Sequence, residues 1–181
     1  QGWEGDLQAA DILNQLYAIE HPEKLTNIVY MGQGEPLDNY DAVMRSLEIL
    51  TAPYSWAWSP RRITVSTVGL RKNLRRFLDE SECHLAVSLH TPIHEQRLQL
   101  MPAERQFPIA DIVELLRQYD WSHQRRVTFE YTMLGGTNDS TLHARELCRL
   151  LGGLECRVNL IRWHTVPGVA LSEPTPERMT A

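Results

Sequence analysis

Cysteine is scarce: Cys83, Cys148 and Cys156 are the only three in 181 residues. They are too few and too scattered for a disulfide scaffold or a closed zinc site, and each reads as a reduced, small buried hydrophobe in a cytoplasmic protein. No apolar run approaches the roughly 18 residues needed to cross a bilayer, and no signal-peptide pattern is read at the start. The glycine fingerprint GxGxxG does not follow the first strand pattern, and a Walker motif is missing, which removes the usual mark of a nucleotide-binding open sheet. Positive charge is not in excess, and the net charge of -5 gives no global sign of a nucleic-acid binder. Low-complexity tracts, short repeats and internal linkers are also missing, so residues 1–181 are expected to form one domain. What is present is ordinary for a folded chain, with 43% hydrophobic and 23% charged residues. The length suits a sizeable core but is short for a complete enzyme barrel.

Hydrophobic period divides the chain into alternating helices and strands. An amphipathic helix is expected from Leu7 to Ile19 with Asp6 as N-cap, then a strand at Asn27–Met31 stopped by Gly32. A helix over Tyr40–Thr51 precedes a proline-bounded loop holding Trp56 and Trp58. Further strands are read at Ile63–Val65, His84–Val87, Arg126–Met133 and Arg157–Ile161, and helices at Leu70–Leu78, Ile109–Tyr119 and Ser140–Leu151, with the remainder a proline-containing loop. Strands separated by helices, without hairpin signals, indicate right-handed βα units and a parallel sheet, either an open doubly wound one or a barrel.

Polar residues recur where the strands end. Gly32-Gln33-Gly34-Glu35-Pro36 follows the first, Ser66-Thr67 the second and Ser88-Leu89-His90 the third; Glu130 sits late in the fourth, and Asn159, Arg162, Trp163 and His164 close the fifth. In a parallel barrel these ends share one mouth, so the residues converge on a single pocket. Taken singly, Ser66 or Ser88 would serve as a helix cap, a histidine as a structural group and the glycines as a tight turn. Together they suit a ligand with an ammonium, a carboxylate and ribose hydroxyls. They also leave open a mononuclear metal site of His90, Glu130 and His164, as in a hydrolase or aldolase barrel.

The segment Met31-Gly32-Gln33-Gly34-Glu35-Pro36-Leu37-Asp38-Asn39-Tyr40 resembles the RlmN/Cfr family of radical S-adenosylmethionine methyltransferases, with its MGMGEPLxNY pattern. The similarity continues in order through Arg61-Arg62-Ile63-Thr64-Val65-Ser66-Thr67-Val68-Gly69, Leu85-Ala86-Val87-Ser88-Leu89-His90, Arg97, Leu100-Met101-Pro102, Arg126–Tyr131, Asn138-Asp139-Ser140 and Cys156–Ile161. It implies an α/β fold, a partial parallel (βα)6 TIM-like barrel of which these would be strands two to six. It also implies S-adenosylmethionine bound at Gly34, Glu35, Ser66, Ser88, Leu89, His90 and, at the last position, His164, where the family carries asparagine; it marks no catalytic side chain or metal ligand in this segment. The implied activity is methylation of an adenine ring carbon of 23S rRNA, with tRNA as an open alternative, in a cytoplasmic, monomeric protein served by an electron donor.

The resemblance places the CxxxCxxC ligands of a [4Fe-4S] cluster before Gln1 and a methyl-carrying cysteine after Ala181. The segment by itself is therefore expected to be inert. A degenerate barrel binding RNA or a nucleotide without chemistry is the further alternative. For RNA, Arg61, Arg62, Arg71, Lys72, Arg75 and Arg76 form a basic stretch without an acidic residue, read either as a phosphate contact or as a solvated helix face. Trp56, Trp58, Trp121 and Trp163 are candidate stacking partners for an unstacked adenine, with packing as the simpler role.

Overall fold

Alternating βα units leave each strand little choice but to pair with the one made just before it. In the computed structural model, which describes residues 5–122 and 125–180, five strands lie in the order β1-β2-β3-β4-β5, every neighbouring pair parallel. They are β1 (Ile28–Tyr30), β2 (Ile63–Thr67), β3 (His84–Ser88), β4 (Val127–Met133) and β5 (Arg157–Arg162). The helices are α1 (Ala9–Tyr17), α2 (Tyr40–Thr51), α3 (Arg71–Glu80), α4 (His94–Leu100), α5 (Ile109–Leu116), α6 (Thr141–Leu151) and α7 (Pro176–Thr180). A doubly wound sheet reverses its strand order at a switch point. This one does not reverse, which selects the partial-barrel arrangement.

The two faces of the sheet differ in chemistry because side chains alternate along each strand. One face carries Ile63, Val65, Leu85, Val87, Val127 and Phe129, all fully buried under Leu47 and Leu50 of α2, Leu74 and Phe77 of α3 and Ile112 and Leu116 of α5. Each such side chain contributes about 1.5–3 kcal/mol by leaving water. The register places Ser66, Ala86, Thr128 and Arg157 in one row of the opposite face, and Ser88, Glu130 and Asn159 in the next. The face turned from the helices is thus largely polar, as a barrel interior that serves a ligand requires. On β5 every residue is exposed, Val158, Leu160 and Ile161 included.

Several boundaries differ from the expected ones for local reasons. The first helix starts at Ala9, because the Asp11 carboxylate accepts the Gln8 N–H at 2.9 Å and closes the turn; Asp6 lies upstream of it. Strands β2, β3 and β5 run further than the hydrophobic runs, since ladder hydrogen bonds continue through Ser66, Thr67, Ser88 and Arg162. The C-terminal stretch is not all loop. Gly135 donates its N–H to Ser172 O at 2.8 Å in an isolated bridge, and α7 follows.

Trp121 is buried and donates Nε1–H to Leu116 O at 2.8 Å, which makes it a packing residue and removes it from the stacking candidates. Trp56 and Trp58 pack against the core, Trp56 with Tyr17 edge-on at 5.4 Å. Among the cysteines Cys83 is buried and Cys156 partly so, but Cys148 is exposed on α6, contrary to the expected small buried hydrophobe. No helix among the described residues is long and apolar enough to cross a membrane.

The turn from β2 into α3 shows how tightly the helices are drawn in. Gly69 has φ of +96°, and a Cβ there would lie 2.2 Å from Ile112 Cδ1. Gly69→Ala is expected to destabilise the fold by about 1–3 kcal/mol through overpacking and left-handed strain. Ile112→Val in the same chain should recover only the overpacking part, as read from urea unfolding midpoints. Full recovery would show that the backbone at position 69 is unstrained.

Candidate functional site

Glu35 is fastened to the end of β2 by hydrogen bonds on both carboxylate oxygens. Oε1 accepts Thr67 Oγ1 at 2.6 Å and the Leu37 N–H at 3.0 Å, and Oε2 accepts the Val68 N–H at 2.8 Å. The Thr67 hydroxyl oxygen accepts the Gly69 N–H in turn, at 2.9 Å. A carboxylate offers about four lone-pair sites, so one on Oε2 is left for a ligand. These bonds pull the Gly32–Pro36 loop onto the strand end beside Ser66. Gly32 and Gly34 have φ of +112° and +82°, and a Cβ on either would meet nothing within 4 Å. The glycines therefore supply left-handed backbone next to open space. A cavity of about 720 Å³ lies between α1 and β1, lined among others by Leu16, Ile28, Tyr30, Gln33, Gly34 and Glu35; Ser66, Ser88 and His90 do not line it.

The Ser88-Leu89-His90 turn is held from beneath. Arg97, fully buried, donates to Ser88 O at 2.7 Å and Leu89 O at 3.1 Å, and its remaining nitrogen pairs with buried Glu104. Glu104 also accepts the Ile109 N–H and meets His94 Nδ1 at 2.7 Å. Leu89 has its side chain fully buried, its N–H on Glu130 O and its carbonyl on Arg97. Ser88 faces the row of Glu130 and Asn159, whose Nδ2 donates to Glu130 Oε2 at 2.7 Å.

His90 has its own constraint. Its Nδ1 accepts the Thr132 N–H at 3.1 Å, so Nδ1 is unprotonated and the neutral ring carries its proton on Nε2. Burial, helped by the Arg97 charge, pushes the imidazole down to about 4 from its ordinary value near 6.5. At neutral pH the site thus holds an uncharged Nε2–H donor.

His164 stands apart. It is exposed beyond β5, and its nearest charged partner is Glu173 at 3.9 Å; Glu173 also takes the Thr165 N–H and Arg162. The structure brings together Gly34, Glu35, Ser66, Ser88, Leu89 and His90 at neighbouring strand ends, without His164. The alternative metal site is not formed. Among the described residues, no group of three or more His, Cys, Asp or Glu is placed to hold a metal ion. His90 spends Nδ1 on Thr132, Glu130 is bonded to Asn159, and His164 is drawn toward Glu173.

The basic stretch also divides. Arg61 and Arg62 precede β2, at the end opposite the mouth, whereas Arg71 and Lys72 open α3 directly after the strand end. Arg75 and Arg76 are spent along the outer surface, on Gln118, Glu80 and the Tyr40 ring. Thr67, Arg97 and Asn138 carry no site role that the sequence alone discloses. Burial of polar side chains beside a strand end is their signal, and that is visible only in three dimensions.

Comparison with known proteins places this arrangement. The model of the radical SAM superfamily matches residues 1–148. A protein of Bacteroides thetaiotaomicron named "Probable dual-specificity RNA methyltransferase RlmN" is 57% identical over 99% of this chain and 52% of its own length. The "Dual-specificity RNA methyltransferase RlmN" of Syntrophobacter fumaroxidans is 40% identical over 99% of the chain and 54% of its own length. The crystal structure of a radical SAM methyltransferase from Sphaerobacter thermophilus superposes with a TM-score of 0.92 at 41% identity, over 99% of this chain and 54% of that one. A domain of a pyruvate-formate lyase-activating enzyme shares the fold, with a TM-score of 0.63 at 14% identity. The chain belongs to the radical SAM superfamily and, within it, to the RlmN/Cfr family. It spans about half the length of the curated relatives it matches.

Membership implies S-adenosylmethionine and a [4Fe-4S] cluster. The residues present fit the first: open space beside left-handed glycines, a free carboxylate lone pair, two serine hydroxyls and an imidazole N–H match its ammonium, carboxylate and ribose. They do not fit the second, since Cys83, Cys148 and Cys156 form no group of metal ligands.

Two measurements check this geometry. Arg97→Met leaves Glu104 buried without its cation and is expected to cost about 3–5 kcal/mol in urea unfolding, part of it recovered by removing Glu104 as well. The His90 shift fixes a pH dependence. The folded-state value lies below the unfolded one, so the unfolded chain takes the proton first as pH falls. The contribution is present above about pH 6.5 and is lost toward pH 4. His84 and His143, also lowered by burial, act with the same sign. The unfolding midpoint should therefore fall from pH 6.5 to 4, and less steeply in His90→Asn; equal slopes would contradict the assignment.

Proposed function

We propose that the whole protein is a radical S-adenosylmethionine methyltransferase that modifies an adenine ring carbon of 23S rRNA, with tRNA as a second substrate, and that this chain supplies the cofactor cradle. The observation that carries the reading is the convergence of Glu35, Ser66, Ser88 and His90 on neighbouring strand ends: Glu35 and His90 are held by hydrogen bonds to the next strand end, Ser66 by strand pairing, and Ser88 by strand pairing and Arg97. The relatives' names, RNA methyltransferase in each case, support the reaction class.

In this reading Gly34 lets the backbone approach the cofactor, and the spare lone pair of Glu35 accepts from its ammonium. Ser66 and Ser88 exchange hydrogen bonds with its hydroxyls and carboxylate. His90 donates Nε2–H as a neutral group, which adds no charge repulsion toward the sulfonium. Leu89 anchors the turn. His164 joins only if the segment after β5 releases Glu173. Bound S-adenosylmethionine supplies the methyl group and the one-electron chemistry that an electrophilic sp2 carbon demands. The cluster's ligands are cysteines outside these residues, and a one-electron donor serves the whole protein.

Arg71 and Lys72, exposed on the mouth side, are assigned to RNA phosphates. Their double replacement by alanine should weaken RNA binding across sequences and flatten the salt dependence by about 0.9 per lost phosphate contact. The activity test uses the full-length protein, reconstituted anaerobically with a reductant and an rRNA fragment, followed by mass spectrometry of the digested RNA. Methyladenosine is expected from the full-length protein and none from residues 1–181 alone, while calorimetry should show the segment binding S-adenosylmethionine. Loss of that binding in Ser66→Ala and Ser88→Ala supports the cradle. A full-length protein with bound cluster and cofactor that leaves adenosine unmodified would sink the reading.

A further inference from the structure

His90 sits in a backbone conformation uncommon for a residue that carries a side chain. Its φ is +56°, in the left-handed region where a side chain crowds its own backbone. Asn138, 1% exposed, holds it there. The Asn138 amide donates Nδ2–H to His90 O at 2.5 Å and to Thr132 O at 2.8 Å, and its Oδ1 accepts the Leu134 N–H at 2.6 Å. The Asn138 carbonyl accepts the Tyr131 hydroxyl at 2.7 Å. The same side chain therefore clamps the carbonyl of the strained residue and both sides of Thr132–Leu134, the segment whose Thr132 N–H meets the His90 ring.

We propose that Asn138 is a positioning residue that selects the tautomer of His90. By joining His90 O to Thr132 O it sets the distance and angle at which the Thr132 N–H reaches Nδ1, and so keeps the ring proton on Nε2. Nε2 has no partner within the protein among the described residues, which leaves it as the donor for a ligand at the mouth. Without the clamp, the left-handed backbone relaxes, the bond to Nδ1 is lost and the ring samples both neutral tautomers. Aspartate cannot replace asparagine, since it loses both donated hydrogens and sets a carboxylate against two carbonyl oxygens. Where the ligand is S-adenosylmethionine, this inference rests on the proposed cofactor cradle.

The test measures imidazole 15N shifts of the labelled chain at neutral pH, with Asn138→Ala and Asn138→Asp beside the parent. The parent is expected to hold a single Nε2–H tautomer at His90, and the variants a mixture, with S-adenosylmethionine affinity lowered about tenfold by calorimetry. A parent with the proton on Nδ1, or variants with an unchanged tautomer, overturns the proposal. If the parent itself fails to bind S-adenosylmethionine, the cradle reading fails and the nitrogen shifts alone decide the role of Asn138. Should those variants not fold, the milder Asn138→Ser is read in the same way: a mixture of tautomers at His90 supports the proposal, and a single Nε2–H tautomer overturns it.

Discussion

The Arg97 guanidinium carries its charge with no contact to solvent, and the strand ends around it are arranged to answer that charge. Removing such an ion from water costs several kcal/mol, recovered only when every donor finds an acceptor. Here Glu104 takes one arm, and the carbonyls of Ser88 and Leu89 take the others. Since Glu104 also holds the start of α5 through the Ile109 N–H, one charge pair fixes the end of β3, the turn after α4 and the entry into α5 together. Pairs of this kind add little net stability compared with a well-packed apolar substitute. Their effect is on which arrangement forms: any other position of the Ser88–His90 turn strands a charge.

The site grows outward from that fixed turn. Glu35 does for the first loop what Arg97 does for the third, with the sign reversed, gathering donors from the next strand end onto one carboxylate. Asn138 does it without charge for the loop after β4. Three polar side chains, two from loops and one from α4, thus clamp the backbone of three loops, and the groups left over for a ligand are few and of known character: one carboxylate lone pair, two hydroxyls and one imidazole N–H. Preorganisation of this sort lowers the ordering cost of binding.

Much of this was legible in the sequence, and the exceptions have a common cause. Alternating periods mark all five strands and the main helices, and the polar strand ends point to Glu35, Ser66, Ser88 and His90. Hydrophobic period does not register polar residues that continue a ladder, so β2, β3 and β5 were read short. It also does not distinguish a polar side chain that meets a ligand from one that clamps a loop, which is why Thr67, Arg97 and Asn138 had no role. His164 shows the opposite situation. Position in the chain suggested the site, but Glu173 lies only nine residues on and competes for it. Cys148 fell on the exposed side of α6 because a small side chain does not reveal which face it occupies.

The strand order has a consequence for how the molecule is made. Each strand pairs only with its neighbours in sequence, so no long-range pairing must wait for a distant part of the chain, and the entropy of closing loops is met in small instalments. During synthesis, which delivers the chain N-terminus first, each βα unit finds its docking edge already built. Glu35 is fastened as soon as β2 is in place, since its partners are Leu37, Thr67 and Val68. The Ser88–His90 turn is completed only when β4 arrives, bringing Glu130 O to the Leu89 and His90 N–H groups, the Thr132 N–H to the imidazole and, just beyond the strand, the Asn138 clamp.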